Sequence, residues 1–531
     1  MQNYSRSGIP LKSAYSFEDR KKTGNDKDLS APGEFPFTRG RRASTRGNWI
    51  QRELSGEGTA TRSNEQFKYL IDKGQTGLDV IGDSPTMACL DPDHPLAAST
   101  VGTQGVSLCR LQDFKDLLKD IPLDSLSIST SLPPFLALPG LYLTAEDSGF
   151  TPNRLRGSIL QPPFYAEDCG YANHIPFKLR LRLSCDSIEF CAKEMPKFHS
   201  FIEDTYFFAE SGLTAIEEMA LGFIEIRHIV RELLSRGVEI DHFAPRIAIL
   251  INCSMDFFEE IAKIRATRRI FAKMMRDEFG AKDPRSLAVV ISSHTSGLSL
   301  TTQQPFNNIV RGTLQSLSLV LGGVQALEIS AFDEGYRTPS PESHLVGLRT
   351  QQVIDLETNV TKVQDPLGGS YYIESLTDEI EKRIVDLIKE IEAKGDPAEL
   401  SESGWFKRFF DNAMERYHTQ LQSGEITKVG VNVHQIPEEE DTMLKEIASE
   451  KIQPCSDLIN IVKEYKSNRN QGQIKKVLMN VQQEAASGKG NLIYPIMEAV
   501  NSGATFGEIS GMLRQAGGFP YDPHGFMKPP F

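Results

Sequence analysis

The chain is 531 residues long and carries 58 Lys and Arg against 71 Asp and Glu, a formal charge of −13. That balance excludes a protein whose main partner is a nucleic-acid backbone, because such proteins present a basic face; a locally basic pocket for a phosphorylated small molecule stays open. With 39% hydrophobic and 24% charged residues the composition is that of an ordinary globular protein. No window approaches the ~20 consecutive apolar residues of a membrane span. The first 22 residues hold no apolar core of a secretory signal, and the seven Cys (89, 109, 169, 185, 191, 253 and 455) form no CxxC pair. Reduced core thiols and a cytoplasmic address are the expectation.

In chain order, residues 1–47 are polar and without helical or strand period. They form an arm, either disordered or ordered by wrapping a partner. Short apolar or β-branched runs then recur between Gly, Pro and polar punctuation. They fall at 76–82, 125–130, 156–160, 200–206, 246–252, 286–292, 324–330 and 361–365. Nearly continuous apolar runs suit parallel strands covered on both faces. Between them lie helical patterns, notably 111–121, 217–237 and 255–280, the last two stopped by Gly237 and Gly280. Eight alternations predict an α/β fold, a (β/α)₈ TIM barrel over 48–375; a doubly wound open sheet is the alternative, but it needs a reversal of strand order that the pattern does not show. From 376 to 531 the helical patterns 378–395, 405–424 and 474–488 follow without strands, predicting a helical C-terminal region.

Phosphate-binding glycine fingerprints and HExxH are absent. Asp522-Pro523-His524-Gly525 superficially matches an Asp-x-His-x-x-Gly cobalamin motif, but Met527 stands where the last Gly belongs. Barrels place chemistry at the carboxyl ends of their strands. That rule singles out Asp83 (in GDSPT), His294 (in SSHTSG) and Tyr206, which is followed by Glu210. The bland readings are a helix N-cap for Asp83, a structural His294 and a core Tyr206. Arg246 opens the fifth strand, where a charge needs an anionic partner or a rim salt bridge.

The stretches PFTRG (36–40), NEQFKYLIDKGQTGLDV (64–80), PTMACLDPDHP (85–95), FAPR (243–246), HTSGLSLTTQQPFNNIVR (294–311) and QDPLGGSYY (364–372) stand in one order. Together they resemble the adenosylcobalamin-dependent acyl-CoA mutases of the methylmalonyl-CoA mutase family, most of all the large subunits of 2-hydroxyisobutyryl-CoA and isobutyryl-CoA mutases. The resemblance implies a barrel that encloses the pantetheine arm of CoA, with Ser127, Ser129 and Ser131 as small residues giving it room. It implies Arg39 as a CoA-phosphate ligand with Arg246 as a polar anchor, Tyr206 and Gln325 as catalytic and cofactor-facing groups, and Glu357 as a ligand of the adenosyl ribose. Asp83, His294, Leu160, Gln161, Gly170 and Phe207 are the expected substrate contacts. The implied partners are an acyl-CoA, a small cobalamin-binding subunit and a G-protein chaperone, with homodimerisation inside a heterotetramer. No nucleic acid and no membrane are expected.

The departures from that family bear on the substrate. Phe207 replaces a histidine that hydrogen-bonds the thioester carbonyl, with Gln161 or His174 as possible substitutes. Leu160-Gln161-Pro162-Pro163-Phe164 rewrites the segment after the third strand, and the methylmalonyl enzyme's carboxylate-binding arginine falls at about Gly170. A methylmalonyl carboxylate would lie unpaired at a cost of several kcal/mol. A branched or bulky acyl-CoA other than methylmalonyl-CoA is therefore expected. A non-catalytic mutase-like barrel with an assembly or regulatory role is the alternative, and an unrelated barrel lyase using Asp83 and His294 a third.

Overall fold

A computed structural model describes residues 3–19, 29–43, 49–168, 173–449 and 452–531. One sheet contains β3 (Ile50–Gln51), β4 (Leu54–Ser55), β5 (Gly77–Val80), β6 (Ser127–Thr130), β7 (Arg156–Leu160), β8 (Phe198–Asp204), β9 (Ile247–Cys253), β10 (Val290–Thr295) and β11 (Ala326–Glu328). Its order is β3-β11-β10-β9-β8-β7-β6-β5-β4. The two strands at the ends of that order, β3 and β4, are separated in the chain only by Arg52 and Glu53, and the parallel order of strands is consistent with the expected (β/α)₈ barrel fold class. The recorded pairings within the sheet are parallel.

Two expectations about the strands change. The run 361–365 is no strand but a turn between the helices Pro341–Leu356 and Tyr371–Glu392, because TKVQD has one apolar residue to bury and Asp365 adopts a positive φ of 47°. The remaining stave is the split strand 50–55, hidden from pattern reading by Arg52 and Glu53 at its middle. Both are buried: Arg52 Nε pairs with Glu328 Oε1 at 2.5 Å, its Nη2 donates to Ser292 Oγ at 2.7 Å, and Glu53 Oε1 accepts from Gln351 Nε2 at 3.0 Å.

The chain divides into two compact units. The first comprises 1–53 and 203–450, the second 54–202 and 451–531. In the first, the arm is ordered by its own chain: Asn3–Tyr4 (β1) pairs antiparallel with Pro10–Leu11 (β2), Arg6 N–H donates to Asp256, Ser7 Oγ donates to Glu259 at 2.8 Å, and Tyr15 packs on Tyr372. The helix Phe257–Lys273 is buried along almost its whole length, which places three arginines in the interior. Arg265 is held by Asp365 and, at 2.5 Å, by Glu374; Arg269 pairs with Asp378 and Glu381; Arg268 donates to the carbonyls of Phe37, Thr38 and Gly322. In the second unit, helices Gln471–Ser487, Ile493–Asn501 and Phe506–Ala516 supply Val477, Ile496 and Leu513 to one apolar core with Phe114, Leu136 and Phe190. Among the described residues no helix is long and apolar enough to cross a membrane.

Asp365 also accepts from Arg39 Nε at 2.9 Å, so one carboxylate serves two guanidinium groups. Asp365→Ala leaves buried Arg265 with half its compensation and should cost about 3–5 kcal/mol of unfolding free energy. Arg39→Ala, which removes the partly exposed member, should cost under about 1 kcal/mol. Chemical denaturation of the two variants checks the ranking.

Candidate functional site

Parallel register aligns the ends of β9, β10 and β11: His294 lies beside Asn252 on one side and Glu328 on the other. Tyr206 stands in the first turn of the short helix Thr205–Glu210, two residues beyond the end of β8 rather than within the strand. Its ring meets the His294 imidazole edge-on at 4.6 Å and the Phe207 ring at 5.4 Å. Ser330 and Gly297 lie beside the Tyr206 hydroxyl, while burial first and then the charges of Glu210 and Glu334 push its pKa upward. It is therefore a neutral phenol. Gly297 is required by close approach: a Cβ there would lie 3.0 Å from Glu210 Oε2 and 3.3 Å from the Tyr206 hydroxyl.

Glu210 joins these strand ends. Its Oε1 accepts from Asn252 Nδ2 at 2.6 Å and Ser296 Oγ at 2.8 Å, and its Oε2 accepts from the Leu298 N–H at 2.6 Å. The His294 Nδ1 lies 2.8 Å from the Thr295 carbonyl, an acceptor only, so Nδ1 carries the proton; Nε2 lies 4.0 Å from Glu328. Glu334, half-buried, accepts from the Ala331 N–H, and its pKa is pushed up to about 7, by burial first and then by the charges of Glu210 and Asp333.

In the second unit the register partners Ser129 and Ser158 satisfy each other, hydroxyl to hydroxyl at 2.7 Å; Ser127 begins the same strand half-buried. Ser131, Leu160 and Gln161 lie at or just past the carboxyl ends of β6 and β7, where they line a cavity. Asp83 is an N-cap: it accepts from Thr86 N–H at 2.9 Å and Gly102 N–H at 2.7 Å. His174 is exposed and faces Glu167 at 3.6 Å. Asp522 accepts the N–H groups of His524, Phe526 and Met527 and lies 3.2 Å from His94 Nε2, so this near-motif is a turn anchor.

Two expected cofactor contacts are not brought to Tyr206. Gln325 precedes β11, at the amino end of the strands, and bridges backbone: its Oε1 accepts from Ile291 N–H and its Nε2 donates to Gly323 O. Glu357 caps the helix Pro341–Leu356 and is exposed. Glu334, Ser330, Asn252 and Ser296 take their place around the tyrosine. Each stands at a strand end or a few residues beyond it, so the rule that picked out His294 would have found them if applied to every strand. Arg246 lies in a turn just ahead of β9, half-buried, and no acidic partner meets it among the described residues. Burial and then the charge of Arg285 lower the pKa of Arg246; burial and then the charges of Arg42 and Arg246 lower that of Arg41, which donates to Ala288 O. Gly170 lies outside the described residues.

The raised Glu334 has a signed consequence. Between its ordinary value of 4.5 and about 7 the folded chain holds a proton that the unfolded chain has lost, so stability falls as pH rises through that window. The stability advantage of wild type over Glu334→Gln should shrink between pH 5 and pH 8 in thermal melts. A pH-independent difference would show an ordinary carboxyl.

The methylmalonyl-CoA mutase family model matches residues 4–519. The 2-hydroxyisobutanoyl-CoA mutase large subunit of Aquincola tertiaricarbonis is 34% identical over 514 residues, 95% of this chain and 90% of that protein. The methylmalonyl-CoA mutase of Rhizobium meliloti (strain 1021) is 35% identical over 518 residues, 96% of this chain and 72% of that protein. The mitochondrial methylmalonyl-CoA mutase of Homo sapiens is 34% identical over 518 residues, 96% of this chain and 68% of that protein.

Proposed function

The chain belongs to the methylmalonyl-CoA mutase family and is an isomerase; on that premise we propose that it is the large, substrate-binding subunit of an adenosylcobalamin-dependent acyl-CoA mutase acting on a branched or bulky acyl-CoA other than methylmalonyl-CoA. The observation that carries the reading is the group of Tyr206, Glu210, His294, Ser330 and Glu334 at the carboxyl ends of the strands, in a chain matched to the family over nearly its whole length. A barrel kept only for assembly has no need of a neutral tyrosine beside a half-buried carboxyl.

When bound, adenosylcobalamin supplies the carbon radical that starts a 1,2-migration of the thioester carbonyl group. The residues present fit such a group: Glu334 offers a half-buried carboxylate with one backbone donor, suited to a ligand hydroxyl, and Tyr206 offers a flat apolar face. Gly297 leaves room for the Tyr206 hydroxyl, and Glu210 fixes the loop 296–298 that presents Gly297. A fixed aromatic wall excludes water from reactive species and is arranged before reaction, so no reorganisation is needed at that moment. His294, with its proton on Nδ1 and Glu328 near Nε2, can hold a proton toward a thioester oxygen through Nε2 only after protonation.

Arg246, with Arg41, is the proposed anchor for the CoA phosphates, because a half-buried guanidinium without an acidic partner is costly until an anion meets it. Arg39 carries less of that role, since Asp365 already holds its Nε. The Ser127, Ser129 and Ser158 side chains leave the barrel-strand surface uncrowded for a pantetheine arm. A small cobalamin-binding subunit, a heterotetramer containing two copies of this chain, a G-protein chaperone and a cytoplasmic address complete the proposal.

The test mixes the chain with a small cobalamin-binding partner, adenosylcobalamin and a panel of acyl-CoA thioesters. Turnover should come with an electron-paramagnetic-resonance signal of cobalt(II), and the absence of that signal across the panel would sink the proposal. Tyr206→Ala should keep the circular-dichroism melt within a few degrees yet lower turnover by about 10²–10⁴-fold. Arg246→Ala should raise KM for the thioester roughly tenfold or more with a smaller change in kcat.

A further inference from the structure

Loop 296–298 is held by residues far from it on both sides in the chain. The Leu298 N–H donates to Glu210 Oε2 at 2.6 Å, 88 positions earlier. The Leu298 carbonyl accepts from the Lys428 ammonium at 2.6 Å, 130 positions later, with the Tyr417 hydroxyl at 3.5 Å. These two backbone groups belong to successive peptide planes, so holding both restrains the torsions of Leu298. The preceding residue is Gly297, which stands in close approach to the Tyr206 hydroxyl.

Lys428 is prepared for that contact. It is half-buried, its ammonium lies 5.7 Å from the centroid of the Tyr417 ring, and no carboxylate pairs with it among the described residues. The turn that carries it is stapled from within: the Lys428 N–H donates to Asn432 Oδ1 at 2.7 Å, and Asn432 Nδ2 donates to the carbonyls of Leu421 at 2.9 Å and Ile426 at 2.8 Å. Arg311 fastens the same turn to the helix Asn307–Gly322 by donating to Val429 O at 2.8 Å. An ammonium kept against an aromatic face by a fixed turn loses little freedom in reaching a carbonyl, and a charged donor makes the stronger bond.

The helix Trp405–Ser423 carries Tyr417 and runs into that turn. It also packs on the element that holds Tyr206. Phe410 meets Phe208 of the helix Thr205–Glu210 at 5.8 Å, and a Cβ on Gly212 would stand 3.0 Å from the backbone of Ala413 and Met414. One helix therefore backs both segments that meet at the Tyr206 hydroxyl: the tyrosine's own helix through Phe410, and the glycine loop through Tyr417 and Lys428. Glu210 ties those two segments to each other, and Lys428 ties the loop to the backing helix.

Resting on the acyl-CoA reading above, we infer that Lys428 is a positioning residue for that reaction: it holds the Leu298 carbonyl and thereby keeps Gly297 against the Tyr206 hydroxyl. Lys428→Met removes the donor at nearly constant length, and Lys428→Arg keeps one. The full chain labelled with 3-fluorotyrosine gives a fluorine NMR signal for Tyr206, assigned with Tyr206→Phe. Lys428→Met should shift or broaden that signal and, with the small partner and adenosylcobalamin present, lower kcat roughly tenfold to a hundredfold while KM for the thioester changes little. Lys428→Arg should return both to near the wild-type values. Arg416→Ala, which removes a contact of the same helix with Glu217 at 2.6 Å, should leave the Tyr206 signal and kcat unchanged. Should Lys428→Met unfold, Lys428→Gln, a shorter and neutral donor, takes its place in the comparison. An unmoved Tyr206 signal in the folded variant overturns the inference, and so does an equal shift in Arg416→Ala, which would mark a general loosening of the helix. Absence of turnover in the wild type with every thioester sinks the acyl-CoA reading instead, and the fluorine signal, which needs no substrate, still decides the placement.

Discussion

The carboxylate of Glu210 is the contact on which the arrangement around Tyr206 depends. Strands of a parallel sheet end side by side, but nothing in the ladder fixes the loops beyond them. Glu210 does so by accepting from Asn252 at the end of β9 and from Ser296 and the Leu298 N–H just past β10, while it sits one helical turn after Tyr206. Burial raises its pKa and the three donors oppose that shift, so the same hydrogen bonds that tie the loops together keep the carboxylate useful as an acceptor. Gly297 follows from this contact, since any larger residue would push against both Glu210 and Tyr206.

The same logic of buried charge met by designed partners runs through the rest of the first unit. Lys263 is buried between Glu218 at 2.8 Å and Glu260 at 2.6 Å; Arg265 lies between Asp365 and Glu374; Arg52 pairs with Glu328. Such pairs contribute little net stability over apolar residues of the same shape, but losing one partner is expensive, so they fix register and connection more than they add free energy. A helix such as Phe257–Lys273, carrying five cations, could not otherwise lie against the strands. Against this background the half-buried Arg246, which meets no acidic partner among the described residues, stands out as a site for an anion.

Much of the fold is legible from local pattern. The run 156–160 is a strand at the expected residues, and 125–130, 246–252 and 200–206 are displaced by one or two positions, because a parallel strand buried on both faces must be a short apolar run. The helices Ala215–Ser235, Trp405–Ser423 and Gln471–Ser487 likewise follow their apolar spacing and glycine stops. Pattern failed where charge is buried and paired. The segment 50–55 reads as surface because Arg52 and Glu53 look solvated, although their partners, Glu328 and Gln351, lie some 300 residues away in the chain. The polar arm residues 3–19 offered no period, yet Asp256, Glu259 and Tyr372 hold them.

The amino-acid sequence by itself determined the family and the parallel alternation of strand and helix, and it placed Tyr206 near a strand's carboxyl end, because each is written in contiguous residues or in motifs with fixed spacing. It did not determine which candidates meet. His294 and Tyr206 are 88 positions apart and share an edge-to-face contact; Gln325 lies on the right strand but at its wrong end; Glu357 ends in solvent while Glu334 takes a place near the tyrosine. Those outcomes depend on register and on which end of a strand a residue occupies. They are properties of packing between distant segments, and only the tertiary structure could decide them.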